Sequence, residues 1–365
     1  MIMIFYILTV IFTCMGENTF QATQDTLNNQ NSISIEPMVI ERTFGDTVKE
    51  LSDSIWVIFQ DRDNHYWFGS NGEGVYQFNG KTLIRFTTKN GLSNDSIREI
   101  QQDRLGNLYF STMNSICKFD GHTIREIIPV KPEDPQSGWK LEPEDLWFKG
   151  NSIVNGPYRL HGNTLYDLDF PKHEMEDELL ARTGIVPWNN YGVYTIYKDT
   201  KGNIWFGTSC FGACRFDGKS LTWISENEIT FLTDAFGVRG IIEEQDGWMW
   251  LTNTLYRYKI NEPELNREGQ SEITYKKEKG ISHGECDYFQ YIVKDDKGYW
   301  MSTYTGGVWR YDPSKKEMTH YPVLKNDTQI PIVSIFKDKQ GSLWLGTQQD
   351  GVYRYNDKTF EKFEL

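Results

Sequence analysis

The chain is 365 residues long and carries a formal net charge of −13. No basic run interrupts that acidity, so a nucleic-acid partner lacks its electrostatic footprint. No glycine-rich phosphate loop, Gly-x-Ser-x-Gly elbow or His-Glu-x-x-His is present, so three common catalytic signatures have no carrier here.

In chain order, residues 2–13 form an apolar run. It is too short to span a bilayer, which takes about 20 residues, and it suits the core of an export signal. Cys14 follows directly, in the place of a lipidated cysteine. However, no Lys or Arg precedes Arg42, and Phe12 and Thr13 are not the small residues such a signal carries. Residues 1–16 are read as a signal peptide or lipoprotein signal, and 17–37, rich in Asn, Gln, Thr and Ser, as a disordered tether. Residues 38–365 are read as one domain. The expected location is periplasmic or extracellular, with a lipid at Cys14 as the one membrane attachment.

From there the chain repeats. Each copy centres on an aromatic followed by apolar and small residues: Trp67-Phe-Gly-Ser, Tyr109-Phe-Ser-Thr, Trp147-Phe-Lys-Gly, Trp205-Phe-Gly-Thr, Trp250-Leu-Thr-Asn, Trp300-Met-Ser-Thr and Trp344-Leu-Gly-Thr. An apolar strand is predicted ahead of each, at Ile55–Gln60, Ile97–Gln102, Val193–Lys198, Val238–Glu243, Phe289–Lys294 and Ile332–Lys337, and faintly at Trp139–Leu141 in the third copy. A third strand of the type Val352-Tyr-Arg-Tyr355 and a fourth, such as Leu83–Phe86 or Ile273–Lys276, complete each copy. Met38–Phe44 reads as an outer strand before the first copy. The last copy has its own at Phe360–Phe363, so either terminus offers a strand for the seam. Seven copies of four short strands, with no helical period, predict an all-β fold: a seven-bladed β-propeller of four-stranded antiparallel blades.

Within each unit, residues such as Asp199-Thr-Lys-Gly202 supply an Asx side chain and a positive-φ glycine for the first turn. One such Asp per blade cannot provide the six to eight oxygens of a calcium site, and no Cys/His set has zinc spacing. No metal or other cofactor is expected. The aromatics at the Trp position fill the flat interfaces between blades. Arg159, Arg215, Arg257, Arg310 and Arg354 recur in register on the third strand and are read as scaffold. Cys117 and Cys214 take a register position held elsewhere by Tyr or Trp, and Cys210 lies close enough to Cys214 across a hairpin to admit a disulfide.

Topology then sorts the surface. First-to-second and third-to-fourth turns share the bottom face, which takes His65, His122 and His161. The top face takes His173, His283 and most of the long loops, at 129–145, 171–190, 226–236 and 277–287. The second residue of each innermost strand belongs near the top of the channel and varies: Trp56, Arg98, Tyr194, Arg239, Gln290 and Val333. With Trp188 and Tyr304 from top loops, Trp56, Arg98, Tyr194, Arg239 and Gln290 form the candidate ligand site. The arginines suit a carboxylate or phosphate and the aromatics suit a sugar or other flat ligand. The alternative is that the arginines pair with nearby acids such as Glu99 and plug the channel. A second polar cluster, His283, Glu285 and Asp287, would carry lyase or hydrolase chemistry.

The motif Asp-x-x-Gly-x-apolar-Trp-apolar-Gly-Thr, followed by Gly-apolar-Tyr-Arg-apolar, resembles the two-component regulator propeller repeat. The resemblance covers about residues 50–365 and is clearest at 192–218, 286–312 and 332–356. It implies the propeller fold, a bacterial envelope setting and a sensor-type module. The family's sensors add a second propeller, a β-sandwich, a membrane helix and kinase modules, which do not follow the seventh copy here. Streptogramin lyases share the seven-bladed plan, but their His-centred metal motif has no counterpart in this chain. The expected function is non-enzymatic binding of a glycan fragment or another anionic small molecule, or of a protein partner, on the top face.

Overall fold

A computed structural model describes residues 44–150, 154–183, 189–226, 229–230, 237–244, 247–252, 256–261, 264–265, 271–272, 274–279 and 289–365. The 1–16 leader and the 17–37 tether lie outside them. Among the described residues, besides two short two-stranded pairings, seven antiparallel blade sheets follow one another along the chain. Seven apolar clusters lie between them, one at each contact between neighbouring blades, including the contact of blade 7 with blade 1. The propeller is therefore a ring of flat sheets glued face to face.

The repeat motif explains how each blade is fastened. In blade 4, Asp199 accepts the backbone N–H groups of Lys201 and Asn203 on one oxygen and the Trp205 indole N–H, at 2.9 Å, on the other. The same indole-to-carboxylate bond joins Trp67 to Asp61, Trp300 to Asp295 and Trp344 to Asp338, each at 2.8 Å, and Tyr109 uses its hydroxyl on Asp103. In these five blades the interface aromatic is thus tied to the turn that starts its own strand. Blades 3 and 5 are the exceptions, and the indole nitrogens of Trp147 and Trp250 are buried without a partner. In blade 5 the turn begins with Glu244, whose longer side chain reaches Tyr299 and Arg257 instead.

The glycine two residues after the Trp has a separate reason. A Cβ on Gly207 would lie 2.3 Å from the Val238 carbonyl oxygen, and one on Gly346 would lie 2.4 Å from that of Ile55. In each case the intruding backbone belongs to the next blade, so glycine lets the second strand of one blade lie close against the leading backbone of the next. The strand-three arginines sit directly across from the interface aromatics, as in Trp344↔Arg354 and Trp300↔Arg310. Arg354 and Arg310 lie over those rings at 5.0 and 5.1 Å. The scaffold reading of these residues accords with that geometry.

Several predicted strands move. Blade 3 has three strands, Leu146–Phe148, Tyr158–His161 and Thr164–Asp167, and none at Trp139–Leu141. Trp139 is instead drawn into the interface of blades 3 and 4, with ring centroids 5.3 Å from Phe216 and 5.5 Å from Phe170. The edge left bare is covered by side chains of blade 2: Gln101 donates to the Trp147 carbonyl at 2.6 Å, and Glu99 accepts the Lys149 N–H at 3.0 Å. The first strand of blade 5 begins at Ile241, not Val238, because the Val238 N–H is already bonded to Thr208 of blade 4. That of blade 6 runs Tyr291–Asp295. The blade 5 outer strand runs Tyr275–Lys279, two residues later than expected, after an inserted two-residue pairing of Glu264–Leu265 with Ser271–Glu272.

The termini settle the seam. The predicted Met38–Phe44 strand lies, save for Phe44, outside the described residues; Asp46–Val48 joins the outer edge of blade 1 as a fifth strand, while Phe360–Lys362 stays on blade 7. Ring closure therefore uses side chains. Tyr66 of blade 1 donates to Asp338 of blade 7 at 2.7 Å, and Gln60 bonds both Gln340 and the Lys339 N–H. Cys210 and Cys214 are buried and are not joined to each other, so the admitted disulfide is not formed.

Asp338 holds four donors from two blades while 3% exposed. Asp338→Ala is expected to cost about 3 kcal/mol by orphaning buried N–H and O–H groups. Its denaturation midpoint should fall well below those of exposed-site controls.

Candidate functional site

The top of the channel is shaped by a defect repeated in register. In blades 1, 2, 4 and 7 the pairing of the innermost strand slips by one residue, between Ile55 and Val57, Ile97 and Glu99, Val193 and Thr195, and Ile332 and Ser334. Trp56, Arg98, Tyr194 and Val333 are the extra residues. A bulge of this kind leaves its residue out of the ladder and re-aims the side chain. The neighbours Ile55 and Ile97 are fully buried, so one position escapes the core at the same height in each blade. In blades 5 and 6 the strand starts later, and Arg239 and Gln290 stand just ahead of it.

These positions converge. Trp56, Arg98, Tyr194 and Arg239 line one cavity of about 580 Å³, within the roughly 300–1,000 Å³ range of small-molecule sites. An adjoining recess of about 300 Å³ shares Trp56 and Arg239 and adds Gln290, Tyr304 and Gln348. Every predicted site residue except Trp188 is thus gathered at one mouth. Trp188 and the alternative cluster His283, Glu285 and Asp287 lie outside the described residues. Among the residues beyond the prediction are Tyr291, Lys149, Met113 and Ser334 in the cavity, and Gln348 in the recess. Tyr291 enters because blade 6 lacks the one-residue slip, and Lys149 because blade 3 lacks an innermost strand. Neither absence is written in a motif. Ile58, Ile100 and Ile241, predicted as core, are buried and also form part of the cavity wall.

Both arginines are stacked in the same way. The Arg98 guanidinium carbon lies 4.3 Å from the Trp56 ring centroid, and that of Arg239 lies 4.2 Å from Tyr194. Each arginine therefore uses the bulge aromatic of the preceding blade. Trp56 is oriented by its indole N–H on the Ser54 hydroxyl at 3.1 Å, and Arg98 Nε donates to the Met113 sulfur at 2.9 Å. Burial lowers the Arg98 pKa from its ordinary value, but a guanidinium remains protonated. Burial likewise raises the phenols of Tyr194 and Tyr291, with Arg239 beside both pulling the other way.

The plugged-channel alternative is not what the arrangement shows. Among the described residues no carboxylate pairs with either arginine. Glu99 spends one oxygen on Gln101 at 2.8 Å and the other on the Lys149 N–H. Arg98 Nη1 and Arg239 Nε are buried without a hydrogen-bond partner, as is the Ser334 hydroxyl on the same wall. Among the described residues no group of three or more His, Cys, Asp or Glu is placed to hold a metal ion.

Residues 49–72, 187–210 and 326–349 match the model of the two component regulator propeller, so the chain carries repeats of that type in blades 1, 4 and 7. Two of these overlap the stretches singled out above; the 286–312 stretch is not among them. Histidine kinase P4 of Formosa agariphila is 44% identical over 52 residues, which are 14% of this chain and 4% of the kinase. The fold is that of the extracellular domain of a hybrid two component system from B. thetaiotaomicron, with a TM-score of 0.55 at 18% identity over 86% of this chain and 40% of that one. It is also that of virginiamycin B lyase from Staphylococcus aureus, with a TM-score of 0.57 at 15% identity over 85% and 97% of the two chains. The chain thus spans well under half of the two-component relatives. At these identities the structural likeness is one of fold.

Three of the described histidines serve the scaffold. His65 sits on Asp61 and His161 on Asp145, both at bottom turns. His173 is on top but 3% exposed, stacked on Phe211 at 4.5 Å. Its Nδ1 accepts the Met175 N–H, which leaves Nε2 to donate to Ser225 at 2.9 Å. It anchors the loop that carries the helix Glu176–Thr183. Burial holds its pKa below the ordinary 6.5, against an upward pull from Glu174 and Glu176. The unfolded chain therefore takes up this proton first, and the contribution of neutral His173 to stability is complete above 6.5 and lost as pH falls below it. The unfolding temperature is expected to drop between about pH 7.5 and 5.5, and the drop should shrink in His173→Gln.

Proposed function

We propose that this protein is an exported, non-enzymatic, sensor-type propeller that binds an anionic small molecule or glycan fragment at the top of its channel. The observation that carries this reading is the pair of stacked arginines with unpartnered N–H groups lining one cavity. Desolvated donors of this kind are costly unless an acceptor meets them. Arginine stacked on a ring keeps its in-plane donors for a carboxylate or phosphate. The adjoining recess, with Gln290, Gln348, Trp56 and Tyr304, supplies amide and aromatic groups suited to a sugar ring.

The likeness to extracellular sensor domains and the export signal read at 1–16 support an extracellular or periplasmic setting, with Cys14 proposed as a lipid anchor. Among the described residues no helix is long and apolar enough to cross a membrane. The lyase or hydrolase alternative rests on His283, Glu285 and Asp287. It is separated from the binding reading by experiment, as is a protein partner on the top face.

Thermal-shift measurements with acidic and neutral oligosaccharides, simple anions and divalent metals test the proposal. Binding to the folded state raises the unfolding temperature by mass action. Acidic ligands should stabilise the protein, with the shift lost in Arg98→Ala and Arg239→Ala. Turnover of a ligand, or stabilisation by metals alone, would favour the enzyme. Equal shifts from acidic and neutral sugars, unchanged in both variants, would remove the arginines from the site.

A further inference from the structure

We infer that the ligand carries two anionic groups, one for each of two equivalent clamps across the channel. This rests on the anion-binding reading above and goes further by fixing the ligand's valence.

The clamps are copies of one device. Trp56 and Arg98 belong to blades 1 and 2, Tyr194 and Arg239 to blades 4 and 5. In each, the bulge aromatic of one blade carries the arginine of the next, with separations of 4.3 and 4.2 Å. Between blades 1 and 2 and blades 4 and 5 lie other blade pairs whose mouth positions hold no such combination: Gln290 in blade 6 and Val333 in blade 7. The ring therefore presents the device twice, on separate sectors of one cavity.

Stacking also fixes what each arginine has left to offer. The ring occupies one face of the guanidinium, so the remaining donors lie at its edge, in the geometry that receives a carboxylate or phosphate. One buried donor on each side lacks a partner, Nη1 of Arg98 and Nε of Arg239. The charge count agrees. Among the described residues the cavity lining holds Arg98, Arg239 and Lys149 against one acid, Glu99, whose two oxygens are already bonded. In a chain of net charge −13 this is a local excess of positive charge, and one monoanion would leave a desolvated guanidinium uncompensated. Two separate monoanions would each lose translational freedom. A single dianion makes its second contact intramolecularly, at a high effective concentration. The same cavity is also lined by Ile58, Ile100, Ile241 and Ile292, apolar surface that suits a hydrocarbon or ring spacer between the charged ends.

The test is isothermal titration of the protein with matched pairs: adipate and hexanoate, terephthalate and benzoate, suberate and octanoate. At least one dianion is expected to bind tenfold or more tightly than its partner. Arg98→Gln and Arg239→Gln should each bring that dianion down to the affinity of the monoanion, and the double variant should bind neither. Equal affinities within every pair would overturn the two-clamp inference and leave the anion site standing. So would a dianion whose binding depends on only one arginine. A wild-type protein that binds none of the six overturns the anion site and this inference together. Circular dichroism of each variant separates loss of binding from loss of fold.

Discussion

The bond between an interface tryptophan and the aspartate that opens its own hairpin is the contact on which this ring depends. It joins two demands that a propeller must meet together: the strand has to turn at a defined residue, and a large ring has to stand at a defined height in the gap between blades. A carboxylate that accepts two backbone N–H groups on one oxygen and an indole on the other ties turn and ring into one unit. In the turn of blade 7 the same oxygen also accepts Tyr66 of blade 1, so the local device becomes part of ring closure. Glu244 shows its limits. One added methylene carries the carboxylate past its own Trp250 to Tyr299 of the next blade, and the indole is left unpaired.

Much of this was legible because the repeat states it seven times. A turn that needs a positive φ and an Asx side chain, followed by a ring and then a small residue, has few structural solutions, and recurrence removes the accidental ones. Blade count, strand order and the scaffold role of the third-strand arginines all follow. Single-copy features were harder to read. The Trp139 segment resembles a strand in composition, yet its ring is worth more in the interface beside Phe170 and Phe216 than in the channel. Val238 looks like the start of a blade 5 strand, but its amide is taken by Thr208. Such choices are made by tertiary competition for one hydrogen bond or one ring, which no local pattern records.

The mouth sits between these extremes. Its positions could be found by register, because the second residue of each innermost strand departs from the apolar pattern around it. The reason lay in the backbone. A one-residue slip in four blades turns a core position into a channel position, and it does so without disturbing the isoleucines on either side. The scaffold thereby gains variable sites on an invariant frame. Blades can differ at one residue, from tryptophan to arginine to valine, while the interfaces between them stay the same. The pairing of arginine with the aromatic of the preceding blade could not be seen in a one-dimensional alignment, since it depends on the offset between neighbouring sheets.

The placement of the termini has a mechanical meaning. Asp46–Val48 hangs on the outside of blade 1 and Phe360–Lys362 on the outside of blade 7, and neither strand crosses the seam. A pull on the chain ahead of Asp46 loads three residues of an outer ladder, which open one bond at a time like a zip. The joint between blades 7 and 1 is a packed surface of Trp344, Phe363, Phe68 and Tyr66, and such a surface gives way only if all its contacts shear together. Blade 1 is like the stave of a cask with a loose outer lath. Tension on that lath frays the rim and leaves the hoop intact, whereas Phe363, just past the blade 7 outer strand, belongs to the hoop itself.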